Sequence, residues 1–302
     1  MSSEQKLYGS IEAGGTKFIA AILRSPDDIM STARFDTISP EVTIGSVIEW
    51  LQIANTEYGP FSAIGIASFG PLELHRIAPN WGFITSTTKP GWSNSDFAGR
   101  VEREMKLPVG FDTDVNGAAL AESRWGAGQG QRISVYITIG TGIGGGAIVD
   151  GRPLVGMSHP EMGHIRPARH ADDTDFQGIC PFHGDCLEGL ASGPAIMARW
   201  GASLSELPID HPAHGIIAYY LAQMAVTLQA IMEPGRIILG GGVMGAPGLL
   251  DRVQNEAGRL GAGYFRGATA KIIVAPGLGE KSGILGGLAL AMDAAPVKSI
   301  GF

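Results

Sequence analysis

Apolar positions along the chain follow two spacings, and each spacing predicts one kind of element. In the first part of the chain, short apolar runs predict buried strands at 7–13, 16–23, 29–35, 63–69 and 109–112. Apolar residues that recur every three or four positions predict helices over 40–58 and 95–106. Residues 72–95 are rich in Pro, Thr, Gly and Trp and predict a long loop, which is typical of functional segments.

The same alternation restarts after residue 114. Short apolar runs predict strands at 132–140, 144–149, 236–239 and 271–274. Helical spacing predicts helices at 115–126, 188–200, 212–232, in a segment that ends near 260, and at 282–292. Residues 157–187 show neither spacing. We therefore predict an α/β protein of two related lobes, residues 1–114 and residues 115–282, with the last helix, about 283–302, packing back on the first lobe.

The composition suits two packed domains and narrows the class of function. The chain has 302 residues, of which 44% are hydrophobic and 17% are charged. Its formal net charge of −7 and the lack of any Lys/Arg run disfavour a nucleic-acid surface. The sequence leaves a homodimer open.

No segment has the pattern of a membrane anchor or an export signal. The longest apolar segment, 216–232, carries Gln223, Thr227 and Gln229 and is too short and too polar to span a bilayer, so we interpret it as a core helix. The first residues lack the basic stretch and the apolar run of a signal peptide. We expect a cytoplasmic protein without a membrane partner.

Two turns of glycine and threonine occupy matching places in the two lobes. Each joins one strand to the next, in Ile11-Glu-Ala-Gly-Gly-Thr-Lys17 and in Ile139-Gly-Thr-Gly-Ile-Gly-Gly145. Glycine permits close approach and positive φ, so such a turn exposes successive backbone N–H groups, which bind phosphate. One such turn is more often structural, but two at matching places predict a polyphosphate site. The candidate residues are Gly14, Gly15, Thr16, Lys17, Gly140, Thr141 and Gly142.

A third glycine turn follows the predicted strand 236–239. It consists of Gly240, Gly241, Gly242 and Val243. These residues would let a flat ring or a ribose rest on the backbone, but they also suit a plain tight turn between a strand and a helix, and both interpretations stay open. Neither of the first two turns has the Walker pattern or a clean Gly-x-Gly-x-x-Gly after the first strand, which argues against P-loop and Rossmann dinucleotide sites.

Two thiols and two imidazoles lie within one short stretch of the chain. Cys180, His183 and Cys186 share a seven-residue segment, and His164 precedes Cys180 by sixteen residues. This is the ligand set of a closed tetrahedral zinc site. The alternatives are a disulfide, which a reducing cytoplasm disfavours, and two unconnected core thiols.

Asp114 stands where a predicted strand ends and a predicted helix begins. Transfer of a phosphoryl group to a hydroxyl needs an acceptor for the hydroxyl proton. Because Asp114 falls at the junction of the two lobes, it is a candidate for this base. The alternatives are that Asp114 caps the helix and that Asp112 is the base.

Three glutamates are candidates for binding roles. Glu12, on the strand before the first turn, is placed to orient a water bound to magnesium, an ion that keeps several waters in proteins. Glu161 and Glu188 flank the Cys and His residues, and carboxylates that face a cavity accept hydrogen bonds from sugar hydroxyls. The alternative for Glu161 and Glu188 is a helix cap or a pair with an arginine.

Together these segments resemble the ROK family of sugar kinases, within the actin/hexokinase-like superfamily. The resemblance covers nearly the whole chain, and its motifs are Glu12-Ala-Gly-Gly-Thr-Lys17, Thr113-Asp-Val-Asn116, Ile139-Gly-Thr-Gly-Ile-Gly-Gly145, Glu161-Met-Gly-His164, the Cys and His segment with Cys186-Leu-Glu188, and Leu239-Gly-Gly-Gly-Val243. It implies two actin-like (ribonuclease H-like) lobes with a cleft between them. It also implies ATP and a hexose as partners, magnesium with the ATP, and a structural zinc ion.

The resemblance further implies a role for each matching residue. Asp114 would be the catalytic base, and the three glycine turns and Pro194 would bind the nucleotide. The sugar would lie near Gly70, Thr113, Glu161, His164 and Glu188. The zinc ligands would be His164, Cys180, His183 and Cys186, so His164 would serve both sites.

Three departures from the common family pattern resemble its bacterial fructokinase branch. Glu12 stands in place of Asp, Thr113 in place of Asn, and Cys-Pro-Phe-His-Gly-Asp-Cys in place of Cys-x-Cys-Gly-x-x-Gly-Cys. We therefore expect an ATP-dependent fructokinase that phosphorylates the C6 hydroxyl of D-fructose. The enzymatic alternative is a broader hexose kinase that acts on mannose or glucose.

Two rivals belong to other classes of protein. A sugar-responsive regulator of the same family needs a DNA-binding region before the first turn, and only eleven residues precede Glu12. A zinc hydrolase needs an open coordination position, which four protein ligands would close. We therefore expect neither of them.

Overall fold

The computed structural model describes residues 6–296, which form twelve strands and nine helices. In chain order the strands are β1 (Leu7–Ala13), β2 (Lys17–Ser25), β3 (Asp28–Asp36), β4 (Phe61–Ser68), β5 (Phe83–Ile84), β6 (Ser95–Asp96), β7 (Val109–Thr113), β8 (Ile133–Ile139), β9 (Ile143–Val149), β10 (Arg152–Pro153), β11 (Arg236–Gly240) and β12 (Ile273–Val274). The helices are α1 (Pro40–Glu57), α2 (Ala98–Met105), α3 (Asp114–Trp125), α4 (Leu187–Ala191), α5 (Gly193–Trp200), α6 (Ala213–Met232), α7 (Leu249–Gly261), α8 (Thr269–Ile272) and α9 (Ser282–Ala294). Short 3-10 helices lie at Met162–His164, Gly242–Gly245 and Gly279–Lys281.

These elements form two compact units, and each unit has its own apolar core. Of the described residues, the first unit contains 6–121, 156–158 and 280–296. The second unit contains Glu122–Val155 and His159–Gly279. The units therefore divide inside helix α3, whereas the sequence predicts a boundary after residue 114.

The first unit is built on a five-stranded sheet in the order β3-β2-β1-β4-β7. Strands β1, β2 and β3 are antiparallel neighbours, while β4 runs parallel to β1 and β7 parallel to β4. Helix α9 covers this sheet so closely that a Cβ atom on Gly65 would lie 1.8 Å from the Gly287 carbonyl oxygen. Only glycine permits this close approach of helix and strand, and the Ser10 hydroxyl adds a bond of 2.6 Å to the Ile284 carbonyl.

The second unit repeats this architecture in the order β10-β9-β8-β11-β12. Strands β8, β9 and β10 are antiparallel neighbours, while β11 runs parallel to β8 and β12 parallel to β11. Both sheets thus have the strand order and directions of a ribonuclease H-like fold. In both units the first two strands are joined by one of the predicted glycine and threonine turns, so each turn lies at the end of a central strand.

Helix α6 is the central helix of the second core. Among residues 6–296 it is the single helix that is long and apolar enough to cross a membrane, and 56% of its apolar window is buried. Its Tyr220, Leu221 and Met224 are fully buried within that core. The interpretation of residues 216–232 as a core helix agrees with this packing.

The predicted helix over 95–106 begins later than the sequence indicates. Ser95 and Asp96 instead pair with Ile84 and Phe83 as two short antiparallel strands. The N–H groups of Phe97 and Ala98 both donate to the Gly82 carbonyl, at 3.1 and 3.0 Å, and α2 therefore starts at Ala98.

Three later elements also differ from the sequence prediction. The predicted helix 188–200 is interrupted at Ser192, whose extended backbone separates α4 from α5 and whose hydroxyl accepts the Ala195 N–H at 3.4 Å. The predicted strand 271–274 begins as helix α8, so only Ile273 and Val274 pair with β11. The predicted last helix, 283–302, ends at Ala294 because Pro296 disfavours helical backbone at residue 295, and residues 297–302 lie outside the described part.

Candidate active site

The first turn (Gly14–Lys17) is closed by hydrogen bonds within the first sheet. The Gly14 N–H donates to the Lys17 carbonyl at 2.9 Å. Thr37, just after β3, donates its N–H to the Thr16 carbonyl at 3.0 Å and its hydroxyl to the Gly14 carbonyl at 2.8 Å. Gly15, Thr16 and Lys17 are exposed. The turn therefore presents a hydroxyl and an ammonium group to solvent, which suits an anion.

Glu12 lies near the end of β1, two residues before this turn. Its carboxylate packs against Gly283 at the start of α9, where a Cβ atom would lie 2.2 Å from the Glu12 Cδ. Burial raises the pKa of Glu12, and the charge of Lys17 lowers it to a smaller extent. A nearby cation would stabilise such a partly desolvated carboxylate.

The β7–α3 junction places two aspartates in different environments. Asp112 is buried, and its Oδ1 accepts the Thr113 N–H and the Asn116 side-chain amide, both at 2.7 Å. Asp114 is half-buried, and its Oδ1 accepts the Val115 N–H at 2.9 Å. The Asn116 N–H donates to the Thr113 hydroxyl at 3.1 Å, so Thr113 caps helix α3. Asp112 therefore holds the junction together, while Asp114 is partly accessible.

The candidate residues of the first unit meet at one edge of its sheet. The register pairs Ala13 with Ser68 and Ser68 with Thr113, so β1, β4 and β7 end at the same level. The first turn follows Ala13, Gly70 follows β4, and Asp114 follows Thr113. Carboxyl ends of parallel strands are where α/β sheets bind ligands.

The second turn (Gly140–Gly142) is held from outside its sheet as well as from within. The Gly140 N–H donates to the Gly142 carbonyl at 2.9 Å. The Gly193 N–H, at the start of α5, donates to the Gly140 carbonyl at 2.8 Å. The Ile143 N–H donates to Oε2 of Glu188 on α4 at 2.9 Å. Helices α4 and α5 therefore fix the conformation of this turn.

A cavity of about 370 Å³ opens beside the second turn, within the second unit. Its lining residues are Gly140, Thr141, Gly193, Pro194, Ile196, Ser203, Leu204, Ser205, Gly242 and Val243. The structure thus brings the second turn, Pro194 and the end of the third turn to one cavity. Gly241 has a structural reason to be glycine, because its φ is 91° and a Cβ atom there would lie 2.4 Å from the Ile139 carbonyl oxygen.

The sequence analysis does not single out the lining residues Gly193, Ile196, Ser203, Leu204 and Ser205. The segment after α5 is fixed by Glu206, whose Oε2 accepts the Ser203 N–H at 2.9 Å and the Ser203 hydroxyl at 2.6 Å. These bonds from Ser203 lower the pKa of Glu206. The spacing Ser-x-x-Glu is that of a capping box, and it is the signal that marks this ordered segment in the sequence.

The four predicted metal ligands converge in the second unit. The ligand atoms of His164, Cys180, His183 and Cys186, here called the Cys/His cluster, all lie within 4.8 Å of one another. Cys180 and Gly184 close the ligand loop with reciprocal backbone bonds of 3.1 and 2.9 Å. Both cysteines are free thiols, which removes the disulfide alternative. Burial raises the pKa of the Cys186 thiol to about 11, and a bound metal would displace its proton.

The distances from the His164 Nδ1 to the other three ligand atoms match the edges of a tetrahedral site. The Nδ1 atoms of His164 and His183 are 3.3 Å apart. The His164 Nδ1 is 3.5 Å from the Cys186 Sγ and 3.8 Å from the Cys180 Sγ. A tetrahedron with zinc bonds of about 2.05 Å to nitrogen and about 2.3 Å to sulfur has edges of about 3.3–3.8 Å. The donor set therefore fits a closed four-ligand zinc site.

Glu161 lies beside the Cys/His cluster. Its Oε1 is 3.5 Å from the Nδ1 of His159, and its Oε2 is 4.0 Å from the Nε2 of His164. The His164 ring thus directs one nitrogen to the cluster and the other toward a carboxylate, which is the usual surrounding of a metal-bound imidazole. Glu161 and Glu188, which the sequence predicts to flank the cluster, therefore contact different groups.

Comparison with known proteins agrees with this architecture. The ROK family model matches residues 8–294. A fructokinase from Zymomonas mobilis subsp. mobilis is 50% identical over 298 residues, which are 97% of this chain and 99% of that protein. A ROK hexokinase structure from Thermus thermophilus has a TM-score of 0.79 at 28% identity and covers 95% of this chain and 98% of that chain.

A second solved structure is also similar to this chain. It is a ROK family glucokinase from Streptomyces griseus in complex with glucose and AMPPNP, with a TM-score of 0.72 at 26% identity, and it covers 95% of this chain and 99% of that chain. The two repeated sheets and these likenesses show the actin-like two-lobe fold. Because the family model spans nearly the whole chain and a relative matched over almost its full length is half identical, this chain belongs to the ROK family.

Proposed function

We propose that this chain is an ATP-dependent fructokinase, which transfers the γ-phosphoryl group of ATP to the C6 hydroxyl of D-fructose. The observation that carries the proposal is the 50% identity to the Zymomonas mobilis fructokinase over 97% of the chain. The hexokinase and glucokinase structures are only 28% and 26% identical. The two free cysteines and the need for ATP support a cytoplasmic location.

The cavity beside the second turn is the proposed nucleoside site. Its volume of about 370 Å³ suits a nucleoside, and apolar Ile196, Leu204 and Val243 line it together with glycine backbone. Thr141 stands at the same cavity, where its hydroxyl is placed to bind a phosphate. In the first turn, the exposed Lys17 supplies a positive charge for a phosphate.

Asp114 is the proposed catalytic base. As the C6 oxygen attacks the γ-phosphorus, its proton passes to the Asp114 carboxylate. The bond from the γ-phosphorus to the bridging oxygen breaks, and ADP leaves with that electron pair. Asp114 is preferred to Asp112 because Asp112 is buried and its Oδ1 already accepts two hydrogen bonds.

Two metal ions complete the proposal. Zinc would be held by the four residues of the Cys/His cluster, in which the distances from the His164 Nδ1 fit a tetrahedron. It would have a structural role because four protein ligands leave no coordination position open. Magnesium bound with ATP supplies positive charge to the phosphates. Glu12, whose pKa burial raises, is proposed to accept a hydrogen bond from a water of that magnesium.

Candidate sugar contacts are proposed within each unit separately, Gly70 and Thr113 in the first unit and Glu161, His164 and Glu188 in the second. Partly exposed carboxylates, such as those of Glu161 and Glu188, accept hydrogen bonds from sugar hydroxyls. The Thr113 hydroxyl accepts the Asn116 N–H, so its contribution to the sugar is through the position of helix α3.

A panel of sugars in an ADP-release assay tests the proposal. We expect kcat/KM to be highest for fructose, and a higher value for glucose or mannose would replace fructokinase by a broader hexose kinase.

The role of the base is tested with Asp114→Asn, which keeps the shape of the side chain but cannot accept the proton. Its activity is expected to fall about 10²–10⁴-fold while fructose binding in calorimetry is retained. A fall of less than about tenfold would remove Asp114 from the role of base.

A further inference from the structure

The carboxylate of Glu188 lies directly beneath the second turn. Its Oε2 accepts the Ile143 N–H at 2.9 Å. A Cβ atom on Gly142 would lie 2.6 Å from the same oxygen, so the carboxylate also packs against the Gly142 Cα. Gly142 does not have a positive φ, and the reason that a glycine stands here is the space that Glu188 occupies.

The second oxygen of Glu188 is left for another partner. Within residues 6–296, Oε1 of this half-buried side chain accepts no hydrogen bond. One carboxylate can therefore bind the Ile143 N–H with Oε2 and a ligand hydroxyl with Oε1 at the same time.

The segments that flank the Cys/His cluster converge on the backbone of Ile143, the first residue of β9, directly after the second turn. Glu188 follows Cys186 by two residues and binds the Ile143 N–H. Gly163, which precedes His164, approaches the other polar atom, since a Cβ atom on Gly163 would lie 1.8 Å from the Ile143 carbonyl oxygen. The cluster thus fixes two contacts to Ile143, one on the N–H and one on the carbonyl.

We propose that Glu188 is a positioning residue for the nucleotide, which holds the second turn in its phosphate-binding conformation. This inference rests on the proposed function, and it assigns Glu188 a task beyond contact with the sugar. A carboxylate beside a phosphate site is unfavourable by charge alone, because like charges repel. Its presence there is explained by the hydrogen bond to Ile143, which keeps the exposed end of the turn in place for the phosphates.

Calorimetric titration with Mg²⁺ and AMPPNP, in the absence of any sugar, tests this role on the zinc-loaded protein. Glu188→Ala is expected to weaken AMPPNP binding about tenfold or more, since a hydrogen bond to a charged group is lost. Glu188→Gln is expected to stay within about threefold of wild type, because its amide oxygen still accepts the Ile143 N–H and its negative charge is gone. AMPPNP binding by Glu188→Ala equal to that of wild type would overturn the proposal.

Asp185→Ala is the matched control, because Asp185 also flanks the cluster but its carboxylate pairs with Arg166 and Arg169 and not with the second turn. Its AMPPNP affinity is expected to stay within about threefold of wild type. Zinc content is measured for every variant, so that loss of the metal is not mistaken for loss of the hydrogen bond. A weakening equal to that of Glu188→Ala, with zinc retained, would show a general effect of lost carboxylates and would contradict the proposal.

Gly142→Ala disturbs the same contact by a change in the turn instead of a change in Glu188. Its added Cβ would displace the carboxylate, and AMPPNP binding is expected to weaken about as much as in Glu188→Ala. The double variant is expected to be little weaker than either single variant, whereas additive losses would overturn the link between the two residues. Since no sugar is present, a wrong sugar assignment leaves these results unchanged, and a wild-type protein that fails to bind AMPPNP would overturn the kinase proposal itself.

Discussion

The first and second turns share a sequence pattern and a place in their sheets, yet different parts of the protein hold them. The first turn is fixed by its own sheet, through the Lys17 carbonyl and through Thr37 at the end of β3. The second turn is fixed by residues far along the chain, since Gly193 and Glu188 bind it from helices α5 and α4.

This difference shows that the motif alone does not determine the conformation of a turn, because residues outside the motif also hold it. Glycine and threonine supply flexible backbone and a hydroxyl in both turns, and this is a local property of the sequence. The conformation of the second turn depends in addition on the Cys/His cluster, which carries Gly163 and Glu188 to Ile143. Two turns that look equivalent in sequence are therefore expected to respond differently to the same perturbation.

Removal of the metal from the Cys/His cluster is expected to have the largest effect, and to affect the second turn alone. Without an ion, the loop that ends at Cys186 is no longer tied to His164, and Glu188 loses its fixed position. In hydrogen exchange, we expect the amides of residues 140–143 to exchange about tenfold faster or more after chelation, while those of residues 14–17 keep their rates.

Cys186→Ser provides a second way to weaken the cluster without a chelator in solution. It is expected to reproduce the faster exchange of residues 140–143. If both turns were to exchange faster by the same factor, the metal would stabilise the whole protein and the contrast between the turns would be wrong.

Glycine substitutions near the two turns are expected to have a smaller effect on stability. A Cβ atom on Gly163 would lie 1.8 Å from the Ile143 carbonyl oxygen, whereas a Cβ atom on Gly15 would have no neighbour within 4 Å. Gly163→Ala is expected to lower the free energy of unfolding by about 1–3 kcal/mol, as overpacking does. Gly15→Ala is expected to stay within about 0.5 kcal/mol of wild type. Urea unfolding measures both, and equal values would show that the two glycines have the same surroundings.

The smallest expected effect concerns Glu12, the carboxylate near the first turn. Burial raises its pKa in the folded protein, so the folded state binds this proton more tightly than the unfolded state. The proton bound by Glu12 in the folded state therefore contributes stability. This contribution is fully present below the unfolded pKa of about 4.3 and is lost as the pH rises through the higher folded pKa. Glu12→Gln does not titrate, so it is expected to gain stability relative to wild type as the pH rises from about 4 to 7 in urea unfolding. A constant difference over this range would contradict the burial of Glu12.

Several features of the site follow from the sequence because they depend on neighbours in the chain. The resemblance to the ROK family and the two-lobe α/β fold are confirmed. The Cys/His cluster was predictable because its four ligands lie within one segment of 23 residues, 164–186, and their chemistry selects a metal. The sequence also favours Asp114 over Asp112 as the base, and this stays a prediction, but the burial of Asp112 and its bonds from Thr113 and Asn116 are visible only in the structure.

Other features depend on contacts between distant parts of the chain, and local patterns do not contain them. The hydrogen bond from Ile143 to Glu188 joins residues 45 positions apart and requires helix α4 to pack beside β9. The lining by Ser203, Leu204 and Ser205 requires the chain after α5 to return to the second turn. The predicted strand 271–274 begins as helix α8, although Ile272 is β-branched, and the sequence pattern does not mark this change.

The position of helix α9 in the chain has a consequence for folding during synthesis. This helix covers the first sheet, yet it is translated after every residue of the second unit. On the ribosome, all residues of the second unit are synthesised before helix α9. Strands β1 and β4 therefore still lack the helix that packs against Gly65. The first unit, although its strands are made first, can therefore close its core only when synthesis is nearly finished.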